Sequence, residues 1–321
     1  MHVTSAFRSE RGASTPCTVS TIIPAYNARA FIERALQSAL AQKIPNSEII
    51  VVDDGSTDGT RELVASFATQ GVRLVCHENR GGASAARNTG VAIARGEYVA
   101  FLDADDEWMP EKLDKQLALI STNPGMTIVS CRANLFDENG RDTGDIYRGA
   151  TPARGSNAWR TLLAYPSIAT PSVLARRSAI CAVGGFNRWL PVGEDQDMWI
   201  KLGLLGDVGY IDHTLVHVHS TPNSLSKSAM QAQADYVMPM VISYVERHRD
   251  KLSKKEAHNI LSERYARIGQ VAYATGEWTF GCMTLMRAVR YGRNPVGVVL
   301  YMLRASALAR FVKRVIHALR K

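Results

Sequence analysis

Long apolar runs and paired cysteines are both missing from this sequence of 321 residues. No stretch reaches 18 consecutive apolar residues, which excludes a conventional transmembrane helix. The five cysteines are widely spaced, form no C-x-x-C pair and are odd in number, so they do not indicate a disulfide framework. We therefore expect a reducing compartment, the cytoplasm. Residues 1–16 contain no continuous apolar run, which predicts a disordered tail rather than a secretory signal.

Two glycine-rich nucleotide-binding motifs are also absent. No G-x-G-x-x-G follows the first predicted strand, which disfavours a dinucleotide-binding fold, and the lack of G-x-x-x-x-G-K-[ST] excludes a P-loop. A nucleotide bound to this chain would therefore meet carboxylates and a metal ion rather than a glycine-rich phosphate cradle.

Acidic residues are missing from the last part of the chain. Residues 286–321 contain nine Lys or Arg and no Asp or Glu, within a net charge of +8 for the whole sequence. This asymmetry suggests an acidic partner, either a membrane surface or a nucleic acid. The final segment also has one apolar helical face, formed by Leu308, Phe311, Val312, Val315, Ile316 and Leu319. Such a helix either lies on anionic lipid or docks on the rest of the protein with its basic face solvated.

What the sequence does contain is an apolar run that ends in clustered carboxylates. Residues 98–102 are typical of a buried strand, and Asp103, Asp105 and Asp106 follow within four positions. Neighbouring ionised carboxylates repel each other, and a divalent cation with oxygen ligands would offset that repulsion. An acidic surface turn is the other interpretation of this stretch taken alone.

Four strand–helix units follow one another at short spacing, and the fourth begins with the strand of residues 98–102. The predicted strands are 19–23, 48–52, 72–76 and 98–102, and the predicted helices between them are 31–42, one ending near residue 70, and 83–94. The strands are apolar throughout, which predicts a mainly parallel sheet covered by helices on both faces. Ligands bind at the carboxyl ends of such strands, where this sequence collects polar residues.

The remaining chain is less regular. A helix is predicted up to residue 121, then strands at 127–136, 208–211 and 215–218, with a mobile loop over 142–156. From about residue 226 only helices are predicted. The predicted organisation is therefore a tail of residues 1–16, a catalytic domain of residues 17–225 and a helical region of residues 226–321.

Six motifs, in this order and spacing, make the chain resemble the family 2 glycosyltransferases. They lie at residues 19–27, 49–60, 80–90, 101–106, 184–187 and 193–199. The resemblance covers the first two hundred or so residues and implies the GT-A nucleotide-diphospho-sugar transferase fold, an α/β fold with a mixed, mainly parallel sheet flanked by helices. The region beyond Ser226 lies outside the resemblance and is expected to form a helical extension.

The resemblance also implies which residues bind the donor. The nucleotide-binding set comprises Pro24, Tyr26, Glu33, Asp54, Arg80 and Asp103. Within it, Asp54 would accept a hydrogen bond from the base imide, which suits uracil, and Asp103 would face the ribose. Asp105 would bind Mn²⁺ or Mg²⁺ on the diphosphate, with His219 completing the metal shell or touching the diphosphate.

The catalytic base is expected in the pair formed by Glu194 and Asp195. Asp195 is the choice, and would take the proton of the acceptor hydroxyl as that oxygen attacks the anomeric carbon with inversion. Asp197 is the second candidate. Acidic residues at the start of a helix also suit its dipole, so simple capping is the alternative for this motif.

The predicted function is a metal-dependent inverting glycosyltransferase of the hexosyltransferase type. It would use a UDP-sugar and a glycan or lipid-linked acceptor in polysaccharide biosynthesis, as a peripheral protein on the inner face of the cell membrane and without binding nucleic acid. A sugar-phosphate nucleotidyltransferase is disfavoured because residues 24–27 hold no glycine-rich loop. A nucleic-acid binder lacks a surface that combines aromatic and basic residues. An inactive relative would be expected to lack some of the carboxylates.

Overall fold

The computed structural model describes residues 18–147, 149–220 and 230–305. The predicted tail of residues 1–16, the boundary between residues 225 and 226, and the apolar face beginning at Leu308 lie outside the described residues. The predictions made for them therefore stay predictions.

The described chain alternates strands and helices up to residue 219 and is helical afterwards. The strands are β1 (Val19–Ala25), β2 (Glu48–Asp53), β3 (Val72–Cys76), β4 (Tyr98–Phe101), β5 (Glu107–Trp108), β6 (Met126–Phe136), β7 (Asp142–Asp145), β8 (Leu174–Arg176) and β9 (Asp207–His219). The helices are α1 (Ile32–Leu40), α2 (Thr60–Ala65), α3 (Ala83–Ile93), α4 (Lys112–Ser121), α5 (Ala158–Ala164), α6 (Arg177–Ala182), α7 (Glu194–Leu205), α8 (Met230–Ala232), α9 (Met238–Arg247), α10 (Lys254–Thr275), α11 (Trp278–Arg290) and α12 (Pro295–Ala305).

One mixed sheet of nine strands forms the centre of the molecule. Its order is β3-β2-β1-β4-β8-β6-β9-β5, with β7 paired to β6 at the side. The first four strands in this order are parallel, as predicted from their apolar sequences. Strand β8 then pairs antiparallel with both β4 and β6.

Three details of the second half of the sheet differ from the prediction. Residues 208–211 and 215–218 belong to one strand, β9, because the exposed Asp212 and His213 lie at an irregularity in the register with β6 rather than in a turn. Strand β7 falls inside the predicted mobile loop of residues 142–156. It contains no apolar side chain, so its pairing with β6 depends on hydrogen bonds, including those of the Asp142 and Thr143 side chains, that composition does not indicate. The two-residue strand β5 was not predicted.

Helices cover both faces of the sheet, and the helical region shares one of the two cores. The core on one face includes Phe101 of β4 and Trp199 of α7, together with Val241 of α9 and Ile260 of α10. The phenyl ring of Phe186 packs edge-on against both Phe101 and Trp199, with centroid distances of 5.2 and 5.8 Å. Helices α1, α2 and α4 cover the other face. Within the described ranges, no helix has the length and apolar character needed to cross a membrane.

Candidate active site

The carboxyl ends of the parallel strands meet at one edge of the sheet. Ala25 at the end of β1 lies beside Asp53 at the end of β2, which lies beside Cys76 at the end of β3, and β4 pairs with β1 on its other side. Backbone hydrogen bonds continue this alignment, since Asp54 N–H donates to the Ala25 carbonyl and His77 N–H donates to the Asp53 carbonyl. The polar residues that follow these strands therefore share one surface, as predicted.

Asp54 organises the loop that leads into α3. Its side chain is almost fully buried, and Oδ1 accepts a hydrogen bond from Gly81 N–H at 2.9 Å and lies 2.8 Å from His77 Nδ1. Oδ2 accepts from Gly82 N–H at 2.7 Å. Because each carboxylate oxygen can accept two hydrogen bonds, Oδ2 keeps one position open. The recognition of a base imide by Asp54 stays a prediction.

Tyr26 and Arg80 form an exposed flat surface at the same edge. The guanidinium carbon of Arg80 lies 4.1 Å from the centre of the Tyr26 ring, and the tyrosine is 41% exposed. Pro24 lies in β1 two residues earlier and is half-buried. Glu33 is exposed on α1, where it accepts a hydrogen bond from Gln37 Nε2 at 3.3 Å. Glu33 therefore has a partner on its own helix, and its contact with a nucleotide stays a prediction.

Arg87 joins the two halves of the site. Its side chain is buried, and it donates from Nη2 to Asp103 Oδ1 and from Nη1 to Glu194 Oε1, both at 2.9 Å. Burial acts to lower the pKa of this guanidinium, but the charges of Asp103 and Glu194 outweigh it and raise the pKa above its ordinary value. One buried cation therefore links the end of β4 to the start of α7.

Asp195 lies in the first turn of α7, next to Glu194. Its Oδ1 accepts a hydrogen bond from Gln196 N–H at 2.7 Å. Burial and the negative charge of Glu194 raise the pKa of Asp195 to about 7, although the positive charge of Arg87 acts in the opposite direction. A carboxyl group with a pKa near the working pH can take up and release a proton, as general acid–base chemistry requires.

Asp197, the second candidate for the base, is held by other side chains. It is 4% exposed, its Oδ1 accepts a hydrogen bond from the Tyr244 hydroxyl at 2.7 Å, and its Oδ2 lies 2.6 Å from Lys201 Nζ. These contacts fit a structural role and favour Asp195 of the two.

The acidic loop after β4 places three carboxyl groups close together. Asp106 is 3% exposed and its Oδ1 accepts a hydrogen bond from His219 N–H at 2.9 Å. Burial and the charges of Asp103 and Asp105 raise the pKa of Asp106 well above its usual range. Arg34 of α1 donates to the backbone carbonyl of Asp105. The loop is thus held between α1 and the end of β9.

His219 faces this loop from the end of β9. Strand β5 pairs with β9 and brings Glu107 beside it, with Glu107 Oε2 at 3.7 Å from His219 Nε2, beyond hydrogen-bonding distance. Nε2 is buried, and the described residues offer it no hydrogen-bond partner. Burial and the charge of Arg34 lower the pKa of His219, which favours the neutral form of the ring. A buried imidazole nitrogen without a partner is suited to binding a cation.

Several residues of the site have roles that the sequence analysis did not assign. Arg87 lies in the motif of residues 80–90, but its two carboxylate partners come from distant motifs. Asp106 is structural, and Arg34 and Glu107 were not considered. The one signal available for Arg87 was a second arginine, after Arg80, within a motif composed mostly of small residues.

Residues 20–178 match the family model described as Glycosyl transferase family 2. UDP-Glc:alpha-D-GlcNAc-diphosphoundecaprenol beta-1,3-glucosyltransferase WfgD from Escherichia coli is 41% identical over 105 residues, which is 33% of this chain and 42% of that protein. Matches to the first three curated relatives cover 40%, 33% and 42% of the relatives' own lengths, so the chain matches less than half of each.

Solved structures show the same fold at low sequence identity. S. aureus TarS 1–349 in complex with UDP-GlcNAc has a TM-score of 0.66 and 20% identity, over 84% of this chain and 79% of that chain. The mannosyltransferase PcManGT from Pyrobaculum calidifontis, in complex with GDP-Man and Mn²⁺, has a TM-score of 0.57 and 21% identity, over 91% of this chain and 88% of that chain. The predicted GT-A fold is confirmed. The family match over residues 20–178 and this fold agree, and the chain belongs to glycosyltransferase family 2.

Proposed function

We propose that this protein is a metal-dependent inverting glycosyltransferase that uses a UDP-sugar. The observation that carries the proposal is the pair of hydrogen bonds from Arg87 to Asp103 and Glu194. They bring the predicted donor side, at the strand ends, next to Asp195, whose pKa near 7 suits a base. The sugar donor and the catalytic base would thus meet at one edge of the sheet.

The donor nucleotide would lie across the strand ends. Its base would stack near Tyr26 and Arg80 beside Pro24, with Asp54 accepting from the imide through its open position on Oδ2, and Asp103 would face the ribose. Glu33 would lie at the rim. The names of the Escherichia coli relative and of the TarS complex both contain a UDP-sugar, which supports uridine as the base.

The residues at the end of β4 fit a divalent cation. Asp105 and His219 would hold it, since His219 is joined to the acidic loop by its backbone N–H and has a buried imidazole nitrogen without a hydrogen-bond partner, and the carboxyl groups of the loop repel each other. No group of three or more His, Cys, Asp or Glu among the described residues is arranged to hold a metal by itself. A cation here would therefore take further ligands from the diphosphate, as Mg²⁺ commonly does. When bound, it neutralises charge on the leaving diphosphate.

Asp195 would act on the acceptor. Its carboxylate would remove the proton of the acceptor hydroxyl as that oxygen forms a bond to the anomeric carbon, and the bond to the nucleoside diphosphate would break on the opposite face. Attack opposite the leaving group inverts the configuration. A glycan or lipid-linked acceptor in cell-surface polysaccharide synthesis is supported by the diphosphoundecaprenol named in the Escherichia coli relative.

Donor binding is expected to stabilise the protein only when a divalent cation is present. Saturating UDP-sugar with Mn²⁺ should raise the melting temperature by about 3 °C, because a ligand that binds only the folded state stabilises it. The measurement is a thermal-unfolding screen of UDP-, GDP- and dTDP-sugars, each with Mn²⁺ and with EDTA. Asp105→Asn should abolish the cation-dependent part of the shift, whereas Asp114→Asn, at an exposed position of α4, should leave it unchanged. An equal shift with EDTA would contradict the metal assignment.

We also propose that the protein binds the inner face of the cell membrane through α12. This helix has an exposed apolar face formed by Val296, Val299, Leu300 and Leu303, which are 46–63% exposed. It lies in residues 286–321, which contain no acidic side chain and nine basic ones. An exposed apolar face in a sequence segment rich in positive charge is typical of a surface for anionic lipid.

The full chain is expected to sediment with phosphatidylglycerol vesicles but not with phosphatidylcholine vesicles. Val299→Ser with Leu303→Ser should weaken this binding, because the substitutions remove apolar area that the lipid would bury. Val271→Ser changes an exposed apolar residue of α10 and is the matched control. A dimer that dissociates in the double variant, without vesicle binding by the parent, would instead assign this face to a second copy of the chain.

A further inference from the structure

The start of α7 is held from the helical region at three points. Gly193, just before the helix, has φ +80°, and a Cβ added there would lie 2.6 Å from Cγ2 of Val237. Arg264 Nη1 of α10 donates to Gln196 Oε1 at 2.7 Å, and the Tyr244 hydroxyl of α9 donates to Asp197 at 2.7 Å. The turn that carries Asp195 therefore depends on residues of the helical region.

Arg264 is the most unusual of these contacts because it buries a charge without an opposite charge beside it. The residue is 3% exposed, and among the described residues it has no carboxylate within ion-pair distance. Its Nε and Nη2 donate to the carbonyls of Leu163 and Leu162, each at 2.5 Å. These carbonyls lie in the last turn of α5, where the helix dipole favours a cation. Three acceptors on two helices therefore fix the plane of the guanidinium group.

Packing alone does not explain why a charged side chain occupies the position of Arg264. A buried hydrophobic side chain of similar volume avoids the desolvation cost of a cation and is often at least as stabilising. Burial and the charge of Arg267 lower the pKa of Arg264 to about 9, while the charge of Asp195 acts to raise it. The guanidinium is thus charged at neutral pH and lies within electrostatic range of the proposed base.

Gln196 connects the two residues. Its side-chain oxygen is held by Arg264, and its backbone N–H donates to Asp195 Oδ1. The guanidinium group of Arg264, held in one plane, therefore orients Gln196. The backbone N–H of Gln196 in turn orients the carboxylate of Asp195.

We infer that Arg264 is a positioning residue for catalysis, acting through Gln196 on the carboxylate of Asp195, so that the helical region completes the active site. The inference rests on the proposed role of Asp195 as the base. It extends that role because it makes α10 part of the machinery for activating the acceptor.

Removing the charge is expected to lower kcat without changing donor binding. Arg264→Met should reduce kcat by about 10²-fold, the effect of a misplaced reacting group, while KM for the UDP-sugar stays the same. The apparent pKa of the rising limb of the kcat–pH profile should increase, because a positive charge near the carboxylate is lost. The other charges that face Asp195 are Glu194 on its own helix, Arg87 of α3 and Asp103 after β4, and all three are unchanged in this variant.

Three further variants separate positioning from charge and from folding. Arg264→Lys keeps the charge but loses the planar fork, so kcat should fall while the pKa of the limb stays near the parent value. Gln196→Ala should lower kcat non-additively with Arg264→Met, as expected for residues that act through one contact. Arg267→Met is the matched control: it lies one turn away on α10, is exposed, and stacks on Tyr165 at 4.3 Å. Its kcat should equal that of the parent.

The outcomes distinguish this inference from the proposed function. Near-normal transfer by Asp195→Asn would overturn the base and the inference together. If Asp195→Asn is inactive while folded Arg264→Met keeps the kcat and the pH profile of the parent, only the inference about Arg264 is overturned. A fall in melting temperature with an unmoved pH profile and kcat would show that Arg264 is structural. If Arg264→Met does not fold, Arg264→Lys becomes the test variant. A kcat equal to that of the parent in Arg264→Lys would overturn the inference.

Discussion

Asp195→Asn is expected to lower the rate of glycosyl transfer by about 10²- to 10⁴-fold, the usual contribution of a general base. The amide occupies the same volume but cannot accept the proton of the acceptor hydroxyl. KM for the donor should change little, because the predicted nucleotide contacts lie at the strand ends. The measurement is steady-state transfer with the donor identified by thermal unfolding, and unaltered kcat would contradict the assignment.

The pH dependence of this variant provides a second readout. Burial and the charge of Glu194 raise the pKa of Asp195 to about 7, so the parent should lose kcat as the pH falls through that value and the carboxylate becomes protonated. The remaining activity of Asp195→Asn should lack this limb. Asp197→Asn is the comparison at the neighbouring candidate: it should keep the limb and mainly lose stability, because Tyr244 and Lys201 hold that carboxylate.

The same pKa shift predicts an effect on stability of opposite sign. A carboxyl group whose pKa is raised by folding contributes most stability below its unfolded pKa of about 4 and loses it as the pH rises through the folded value. In the parent, Asp195 should therefore contribute less to the free energy of unfolding at pH 8 than at pH 4. Because the amide does not ionise, the melting temperature of Asp195→Asn relative to the parent should increase between pH 5 and pH 8.

The parallel half of the sheet could be predicted from sequence because its signals are local. Each of its strands is an apolar run followed by polar residues, and parallel pairing aligns the ends of such runs at one edge. That is why the surface that contains Tyr26, Asp54 and Asp103 was predicted correctly. Strands β5 and β7 carry no such pattern, and the exposed residues inside β9 imitate a turn.

Contacts between distant segments could not be predicted in the same way. Arg87 reaches Asp103 and Glu194 only because α3 and α7 pack into the same core on one face of the sheet, which no spacing in the sequence reveals. Arg264 lies in a region outside the resemblance, and its periodic helix gives no indication that one arginine points inward. Buried charges are fixed by what surrounds them, so a single sequence shows their presence but not their partners.

Arg87→Met is expected to cause the largest loss of stability of any single substitution in the site. It would leave Asp103 and Glu194 without the cation that both now contact at 2.9 Å. Breaking a buried pair in this way costs about 3–5 kcal/mol, and the lower end applies here because the Asp103 side chain is 30% exposed. Urea unfolding at pH 7 measures the change. Arg95→Met is the matched control: Arg95 is 71% exposed, and Glu48 keeps its hydrogen bonds from Ser20 Oγ and from the backbone N–H of residue 95, so the loss should cost at most about 1 kcal/mol.

Neutralising the two carboxylates separates the contribution of Arg87 to the stability of the protein from its role in the active site. In Arg87→Met with Asp103→Asn and Glu194→Gln, no orphaned charge remains, so most of the lost unfolding free energy should return. Transfer activity should not return, because the link between the donor side and α7 is still missing. Full activity in the folded triple variant would show that Arg87 serves only to balance buried charge. A parent-like urea midpoint in Arg87→Met alone would mean that solvent already screens the two carboxylates, and that the buried cation does not connect β4 to α7.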